Sequence, residues 1–343
     1  SVVNYCNEIG VDAIVPVPVD WPLQWMSKVA ERLGLIFIPV EKVENYRHKF
    51  FMKQCLIKNN INCARGILIR VDEINKKLLS EFHFPLIVKP IDQYASRGVT
   101  KANNINELIH YAKEASRFSA NGDIVIEEFI EGREFNAEGV CFNGRVEIYA
   151  IVEKISDPFP RTIEMGHIIP PYITNIEEKT IVDTVSKAVL ALGMKNGAFN
   201  AEIKLINGEG YIIEVNGRLA GDFIISHLVK PTTGQDMEQE VVKMSLGMQI
   251  EKANRKYKKH GIISYFNLPA GKKIKQINDF NYLSRNPNII ETHLFYKKDE
   301  VIPEVLHMGH RSGYVIVTSD TRQGMFEIAE KTKMEVINSI ILE

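Results

Sequence analysis

The 343-residue sequence predicts an α/β protein made of α+β lobes: a truncated parallel α/β domain first, a small central lobe next, and a lobe on antiparallel sheet last. Three observations carry this expectation. Helix and strand signals alternate at the start of the chain, as in a parallel sheet. An amphipathic helix lies between two short apolar strands in the middle. Two strands of strict two-residue period then flank the turn chemistry Asn207-Gly208-Glu209-Gly210.

Taken in order, Val2–Ile9 reads as a helix end closed at Gly10, and Asp12–Val17 as a buried strand. Leu23–Leu33 reads as a helix closed at Gly34, and Leu35–Pro39 as a second strand. Parallel sheets usually have more strands than these two, so further β–α units upstream are expected. Arg47–Lys58 is a helix ending at Asn59-Asn60. Phe84–Pro90 is an apolar strand, Ile91–Thr100 a loop, Asn104–Phe118 a helix with Ile105, Leu108, Ile109, Ala112 and Ala115 on one face, and Asp123–Ile130 a strand. Phe135–Val140 and Arg145–Lys154 pair around Asn143-Gly144. Ile176–Leu192 is a helix with Asn175 as N-cap and Glu178 as its reciprocal cap. Asp236–Leu246 is a further helix, and Glu251–His260 a solvated basic connector. Strands near Ile262–Phe266, Ile289–Phe295 and Gly313–Thr318 and a helix from Arg322 to Asn338 complete the chain.

Composition narrows the function classes. At 45% hydrophobic and 25% charged, the chain holds enough apolar residues for two or three lobes. A net charge of −1 gives no field that favours nucleic acid or an acidic membrane surface, and no apolar run reaches membrane-span length. Cys6, Cys55, Cys63 and Cys141 include no metal-ligand spacing, so reduced thiols and a cytoplasmic location are expected.

The hairpin from Phe199 to Arg218 carries the chemistry. Phe199, Ala201, Ile203 and Leu205 alternate with Asn200, Glu202 and Lys204; Tyr211, Ile213 and Val215 alternate with Ile212, Glu214 and Asn216. Glu202 and Glu214 oppose each other if the connecting loop has an odd number of residues. Directly opposed residues have Cβ atoms roughly 4.5–5.5 Å apart, where two carboxylates repel unless a cation lies between them. Asn216 adds an amide oxygen on the same face. Such an all-oxygen set suits Mg²⁺ and a substrate phosphate. Arg218 follows and suits bidentate contact with phosphate or carboxylate. The same hairpin also reads as a solvent-facing ladder of ordinary charges. Lys89 ends an apolar strand, where an ammonium is costly unless it meets an anion.

Lys49, Lys89, the Ser96-Arg97-Gly98 loop, the Glu127-Glu128-Phe129-Ile130 strand and the set Glu202, Glu214, Asn216 and Arg218 occur in an order that resembles the ATP-grasp superfamily. The resemblance covers roughly residues 10 to 343 and is most specific over Ala198–Asp222. It implies a biotin-carboxylase-like ATP-grasp fold with segments 1–46 (partial N-terminal domain), 47–131 (with a lid lobe at about 82–123), 132–250 (catalytic part) and 251–343 (C-terminal lobe). It implies that Lys49 and Lys89 meet nucleotide phosphates and that Ser96 and its loop cover them. Glu127, Glu128, Phe129 and Ile130 would hold adenine or ribose, with Glu134 in the Glu-Gly-Arg-Glu that follows. Departures are His48 where aspartate is common, Lys53 where arginine is common, and Tyr94 and Ala95 where small residues are usual.

Glu164-Met165-Gly166-His167 followed by Pro170-Pro171 resembles the branch of L-amino-acid ligases and related carboxylate–amine ligases. There Glu164 and His167 would face an amino-acid substrate, although a hydrogen-bonded structural pair fits the same residues. Arg218 would clamp a substrate carboxylate, and Gly221 would permit close backbone approach. Arg311–Val317 resembles the branch's last lobe, with packing as its role.

The resemblance implies an ADP-forming ligase that makes an amide or peptide bond through an acyl phosphate. Glu202, Glu214 and Asn216 would hold Mg²⁺, or Mn²⁺ in its place. Lys89 and Arg218 would act on the charge that builds during transfer. Small carboxylates and amines are the expected partners, with a homodimer admissible. The alternatives are a carboxylate–thiol ligase that loads an amino acid onto a carrier protein, and a nucleotide-binding protein without catalysis.

Overall fold

A computed structural model describes residues 2–75, 78–93, 97–157 and 163–343. Helices α1 (Val2–Glu8) and α2 (Leu23–Leu33) form where the apolar spacing places them, and Gly34 ends α2 at a φ of 68°. The strands expected at Asp12–Val17 and Leu35–Pro39 do not form. Short apolar runs fit a strand, but a strand exists only where a neighbour completes its hydrogen bonds, and neither run pairs with another segment among the described residues. Val15 and Val17 stay exposed, as do Trp21 and Trp25.

The helix expected over Arg47–Lys58 is broken. Helix α3 (Glu44–Arg47) stops at His48, whose extended backbone caps α4 (Lys49–Lys58); the imidazole accepts from the Phe51 N–H at 3.4 Å. This break places Lys49 at the first turn of α4, where its side chain enters the cleft described below.

Strands β1 (Gly66–Ile69), β2 (Leu86–Pro90) and β3 (Thr100–Ala102), helix α5 (Ile105–Phe118) and strand β4 (Ile124–Glu128) form the small lobe. Its antiparallel sheet has the order β1-β4-β2-β3 and draws β1 and β4 from outside the 82–123 span. Asn104 caps α5 through its side-chain oxygen, and Leu108, Ala112 and Ala115 bury against Leu86, Val88, Ile124 and Ile126. Each fully buried Leu, Val or Ile side chain here contributes about 1.5–3 kcal/mol.

The large sheet starts with β5 (Arg133–Phe142), β6 (Arg145–Ser156) and β7 (Glu164–Ile169). Helix α6 (Asn175–Ala191) follows, then β8 (Gly197–Ile206) and β9 (Glu209–Asn216). The α6 cap is Thr174 with Glu177, one residue before the expected pair, because Thr174 is extended and its hydroxyl accepts from the Glu177 N–H while Asn175 is already helical. After β9 come a π-helical turn (Ile224–Val229), α7 (Lys230–Thr233) and α8 (Met237–Ser245). The connector 251–260 is only partly solvated: Arg255 bonds Glu178 at 2.7 Å and the Ile148 carbonyl at 2.8 Å. Strands β10 (His260–Phe266), β11 (Ile274–Ile277), β12 (Ile289–Leu294) and β13 (Gly313–Ser319), helix α9 (Arg322–Asn338) and β14 (Ile340–Leu342) end the chain.

The eight-stranded antiparallel sheet has the order β12-β13-β10-β7-β6-β5-β8-β9, and β11 pairs with β14. On β8, Phe199, Ala201 and Ile203 join the core that includes Ile181, Val185 and Val189 of α6. The intervening Asn200, Glu202 and Lys204 line a cleft on the other face. Among the described residues, no helix is long and apolar enough to cross a membrane.

Candidate active site

The two-carboxylate pair forms, by a route the loop length does not show. The turn has two residues, Asn207 and Gly208, both at positive φ (49° and 84°), which such a turn requires. That turn alone would set Glu202 opposite Ile213. A bulge at Ile213 adds one residue to β9 and brings Glu214 opposite Glu202, with Asn216 opposite Asn200. The pairing of β5 with β8 extends the pattern. Three rows of polar residues therefore cross one face of the sheet: Glu138, Asn200, Asn216; then Asn136, Glu202, Glu214; then Glu134, Lys204.

Cations enter these rows from three directions. Lys49 of α4 reaches Glu214 at 2.6 Å. Lys154 of β6 contacts Glu134 (2.7 Å), Glu164 (2.8 Å) and Glu202 (3.1 Å). Arg218, just past β9, is held by both oxygens of Asp20 at 2.8 and 2.9 Å. From the small lobe, Lys89 contacts Glu127 at 2.5 Å, and the buried Lys53 lies 3.7 Å from the same carboxylate. Lys49, Lys89, Lys154, Arg218, the segment Glu127–Ile130 and Gly221 all line this one cleft between the two sheets.

The field separates the two opposed carboxylates. Burial and the neighbouring Glu164, Glu214 and Glu134 raise the Glu202 carboxyl, against the pull of Lys154. Burial also works against ionised Glu214, but Lys49, Lys89 and Arg218 outweigh it and hold that carboxyl low. Burial, with Lys53 and Lys49 nearby, lowers the Lys89 ammonium despite Glu127. Burial opposes the charge on Lys154 too, yet its three carboxylate partners raise it well above an ordinary lysine.

Glu138 is fully buried, and this pushes its carboxyl up to about 8 against the bond from Asn200 and the charge of Arg218. An unfolded glutamate titrates at about 4.3. Between these values the folded protein keeps a proton that the unfolded chain has released. This group's contribution to stability is therefore present below the unfolded value and lost as pH rises toward 8. Relative to E138Q, which cannot titrate, the wild-type unfolding free energy is expected to fall from about pH 5 to about pH 8. Denaturant titrations at a series of pH values measure the difference, and one that stays flat over that window contradicts the assignment.

Most of the expected residues converge, some with other partners. Glu127, expected at adenine or ribose, is 3% exposed and engaged by Lys89 and Lys53. Glu128 pairs with Arg65 at 2.5 Å, the Phe129 ring lies under Lys101 and Lys204, and the Ile130 carbonyl accepts from Lys204 at 3.1 Å. Arg133 turns away to Glu177 and the Tyr172 carbonyl. Ser96 lies outside the described residues. A Cβ at Gly221 would meet nothing within 4 Å, so this backbone faces open space. Glu164 contacts Lys154, and buried His167 lies 3.5 Å from both Glu164 and Asp222.

Arg311, expected only to pack, forks onto Asp222 with two bonds of 2.9 Å, donates to the Glu164 carbonyl and lies 3.5 Å over the Tyr265 ring. Sequence reasoning also missed Asp20, Glu138 and Lys154. For Glu138 and Lys154, charge within an apolar alternating strand was the available signal. Asp20 had none, because its partner is 198 residues away.

The donor chemistry fits a hard divalent cation. Two opposed carboxylates and the Asn216 amide lie on one face, and beside Glu202 the buried Asn136 Oδ1 has no partner among the described residues.

Known proteins share the architecture around this cleft. Residues 82–226 match the ATP-grasp domain, and residues 265–336 match the L-amino acid ligase C-terminal domain 2. Residues 82–226 thus carry the ATP-grasp domain. The second match makes the C-terminal lobe similar to the last domain of L-amino acid ligases. It is 29% identical over 262 residues to alanine--anticapsin ligase of Bacillus subtilis (strain 168), covering 70% of this chain and 55% of that protein. It is 29% identical over 225 residues to the carbamoyl phosphate synthase large chain of Caldanaerobacter subterraneus subsp. tengcongensis, covering 65% of this chain and 20% of that one. The chain thus spans only part of the length of both relatives. The crystal structure of L-amino acid ligase from Bacillus licheniformis shares the fold, with a TM-score of 0.83 at 21% identity over 99% of this chain and 82% of that one.

Proposed function

We propose that the chain is an ATP-dependent, ADP-forming carboxylate–amine ligase acting on an amino acid or a similar small carboxylate. The observation that carries this reading is the opposed pair Glu202 and Glu214 with Asn216, in a cleft that Lys49 and Lys89 enter from separate elements. The nearness to alanine--anticapsin ligase supports amide formation as the reaction class.

Glu202, Glu214 and Asn216 would hold Mg²⁺, which neutralises charge between the β- and γ-phosphates of ATP when bound. Lys49 and Lys89 would bind phosphate oxygens, each exchanging its present carboxylate partner for the nucleotide. The Glu127–Ile130 segment would form the base site where the two sheets meet. The donor carboxylate oxygen attacks the γ-phosphorus, and the bond to the ADP oxygen breaks. The acceptor amine then attacks the acyl carbon, phosphate leaves, and the amine proton goes to solvent. Arg218 would release Asp20 and steady the charge on the transferring group. Glu164 and His167 would face the amino-acid substrate. The small lobe would close over the cleft and exclude water that would otherwise hydrolyse the acyl phosphate.

The experiment supplies ATP, Mg²⁺ and a donor amino acid with hydroxylamine in place of the acceptor. A hydroxamate should accumulate with ADP. Its absence with every donor that supports ADP release would overturn the acyl-phosphate step.

A further inference from the structure

The first polar row, Glu138, Asn200 and Asn216, runs across β5, β8 and β9 behind the proposed cation site. All three side chains are buried, at 0%, 3% and 4% exposure. Asn200 Nδ2 donates to Glu138 Oε1 at 2.5 Å, and Asn216 Nδ2 donates to Asn200 Oδ1 at 3.3 Å. Asn216 also lines the cleft beside Glu214.

The direction of these bonds matters. An amide presents a donor at one end and an acceptor at the other, and a cation tolerates only the oxygen. Nothing in an isolated asparagine fixes which end faces the site. Here the chain of bonds ends on a carboxyl oxygen that accepts. Asn200 must turn its NH₂ toward Glu138, which leaves its oxygen for Asn216. Asn216 must then turn its NH₂ toward Asn200, which leaves Oδ1 for the cleft. This order holds while Oε1 carries no proton, that is, with Glu138 ionised or with its proton on Oε2, the oxygen that does not take the Asn200 bond.

We propose that Glu138 is a positioning residue: acting through Asn200, it fixes the orientation of the Asn216 amide so that its oxygen faces the divalent cation. The inference rests on the reading of Asn216 as a cation ligand. Groups that orient a metal ligand from behind commonly change metal affinity by 10–100-fold.

The test measures Mn²⁺ binding to the whole chain in the presence of ADP, by electron paramagnetic resonance of the free ion. E138L removes the acceptor with little change in size, and should weaken Mn²⁺ binding by about 10–100-fold. E138Q can still offer a carbonyl oxygen to Asn200, and should stay within about threefold of wild type, well below that range. N216D presents an oxygen whichever way it turns. E138L/N216D should therefore bind Mn²⁺ as tightly as N216D alone, a rescue that a loss of packing would not show. N200L cuts the same chain at its middle link and replaces E138L if that variant does not fold. Wild-type affinity in E138L, or an E138L/N216D protein still weakened relative to N216D, overturns the proposal. E214Q separates the two levels: if it also binds Mn²⁺ like wild type, the cation site itself is misplaced and both readings fall.

Discussion

Replacing Glu214 by Gln is expected to lower ATP-dependent turnover by roughly 10²–10³-fold, the scale for losing one pre-placed electrostatic contact, while the fold persists. Glu214 is the carboxylate that the surroundings keep ionised: Lys49 lies at 2.6 Å, and Lys89 and Arg218 add their charges. It opposes Glu202 across the strand pair, so its oxygens and those of Glu202 define where a divalent cation can sit. Gln keeps the shape of the side chain, and its amide oxygen still accepts from Lys49. The β8–β9 ladder should therefore survive while the site loses the carboxylate that its surroundings keep ionised. Steady-state ADP release measures the first effect, and a thermal melt by circular dichroism the second. A folded E214Q protein with near-normal turnover would remove the metal assignment.

The largest effect on stability should come from Arg311→Met, at about 3 kcal/mol, the lower end of the cost of breaking a buried pair from one side, because Arg311 is buried while Asp222 is half-buried. The Arg311 guanidinium is enclosed by Asp222, the Glu164 and Met308 carbonyls and the Tyr265 ring. Removing it leaves the Asp222 carboxylate with His167 at 3.5 Å. Asp222 and Phe223 also carry positive φ values of 53° and 63°, a backbone state that must be held by its surroundings. The double variant D222N/R311M removes both charges and should recover most of the loss, because an uncharged pair leaves no unpaired carboxylate in this half-buried site. Urea unfolding of the two variants measures this. An R311M protein within about 1 kcal/mol of wild type, the range of an exposed ion pair, would contradict an anchoring role.

The sequence makes local geometry legible, because local geometry has local causes. Asn143-Gly144 and Asn207-Gly208 mark two hairpins, since few residues accept consecutive positive φ. Gly34 marks the end of α2, and Asn104 and Asp236 mark helix starts through their side-chain oxygens. The opposed Glu202 and Glu214 were also legible, although a bulge at Ile213, not an odd loop, sets the register. Nothing in the alternation of β9 shows where the extra residue falls.

Long-range choices were not legible. Asp12–Val17 and Leu35–Pro39 have strand-like composition, but strand formation depends on a partner elsewhere. The break at His48 depends on its cap, and the one-residue shift at α6 on Thr174 and Glu177. Lys154 could be read as a charge in a strand, but not as the group that gathers Glu134, Glu164 and Glu202. The family likeness supplied Lys49, Lys89 and Glu127 as a set; the geometry adds that each lysine already holds a carboxylate.

The most direct test of the central claim is the identity of the nucleotide product. Pairs of amino acids are incubated with the protein, ATP and Mg²⁺; the nucleotides are separated by chromatography, and the joined product is weighed by mass spectrometry. Attack at the γ-phosphorus requires charge to be neutralised between the β- and γ-phosphates, where Lys49, Lys89 and the Glu202/Glu214 cation would converge. The account predicts ADP and orthophosphate in equal amounts to the amide formed. AMP and pyrophosphate as the products would contradict it, even with ATP bound in the same cleft.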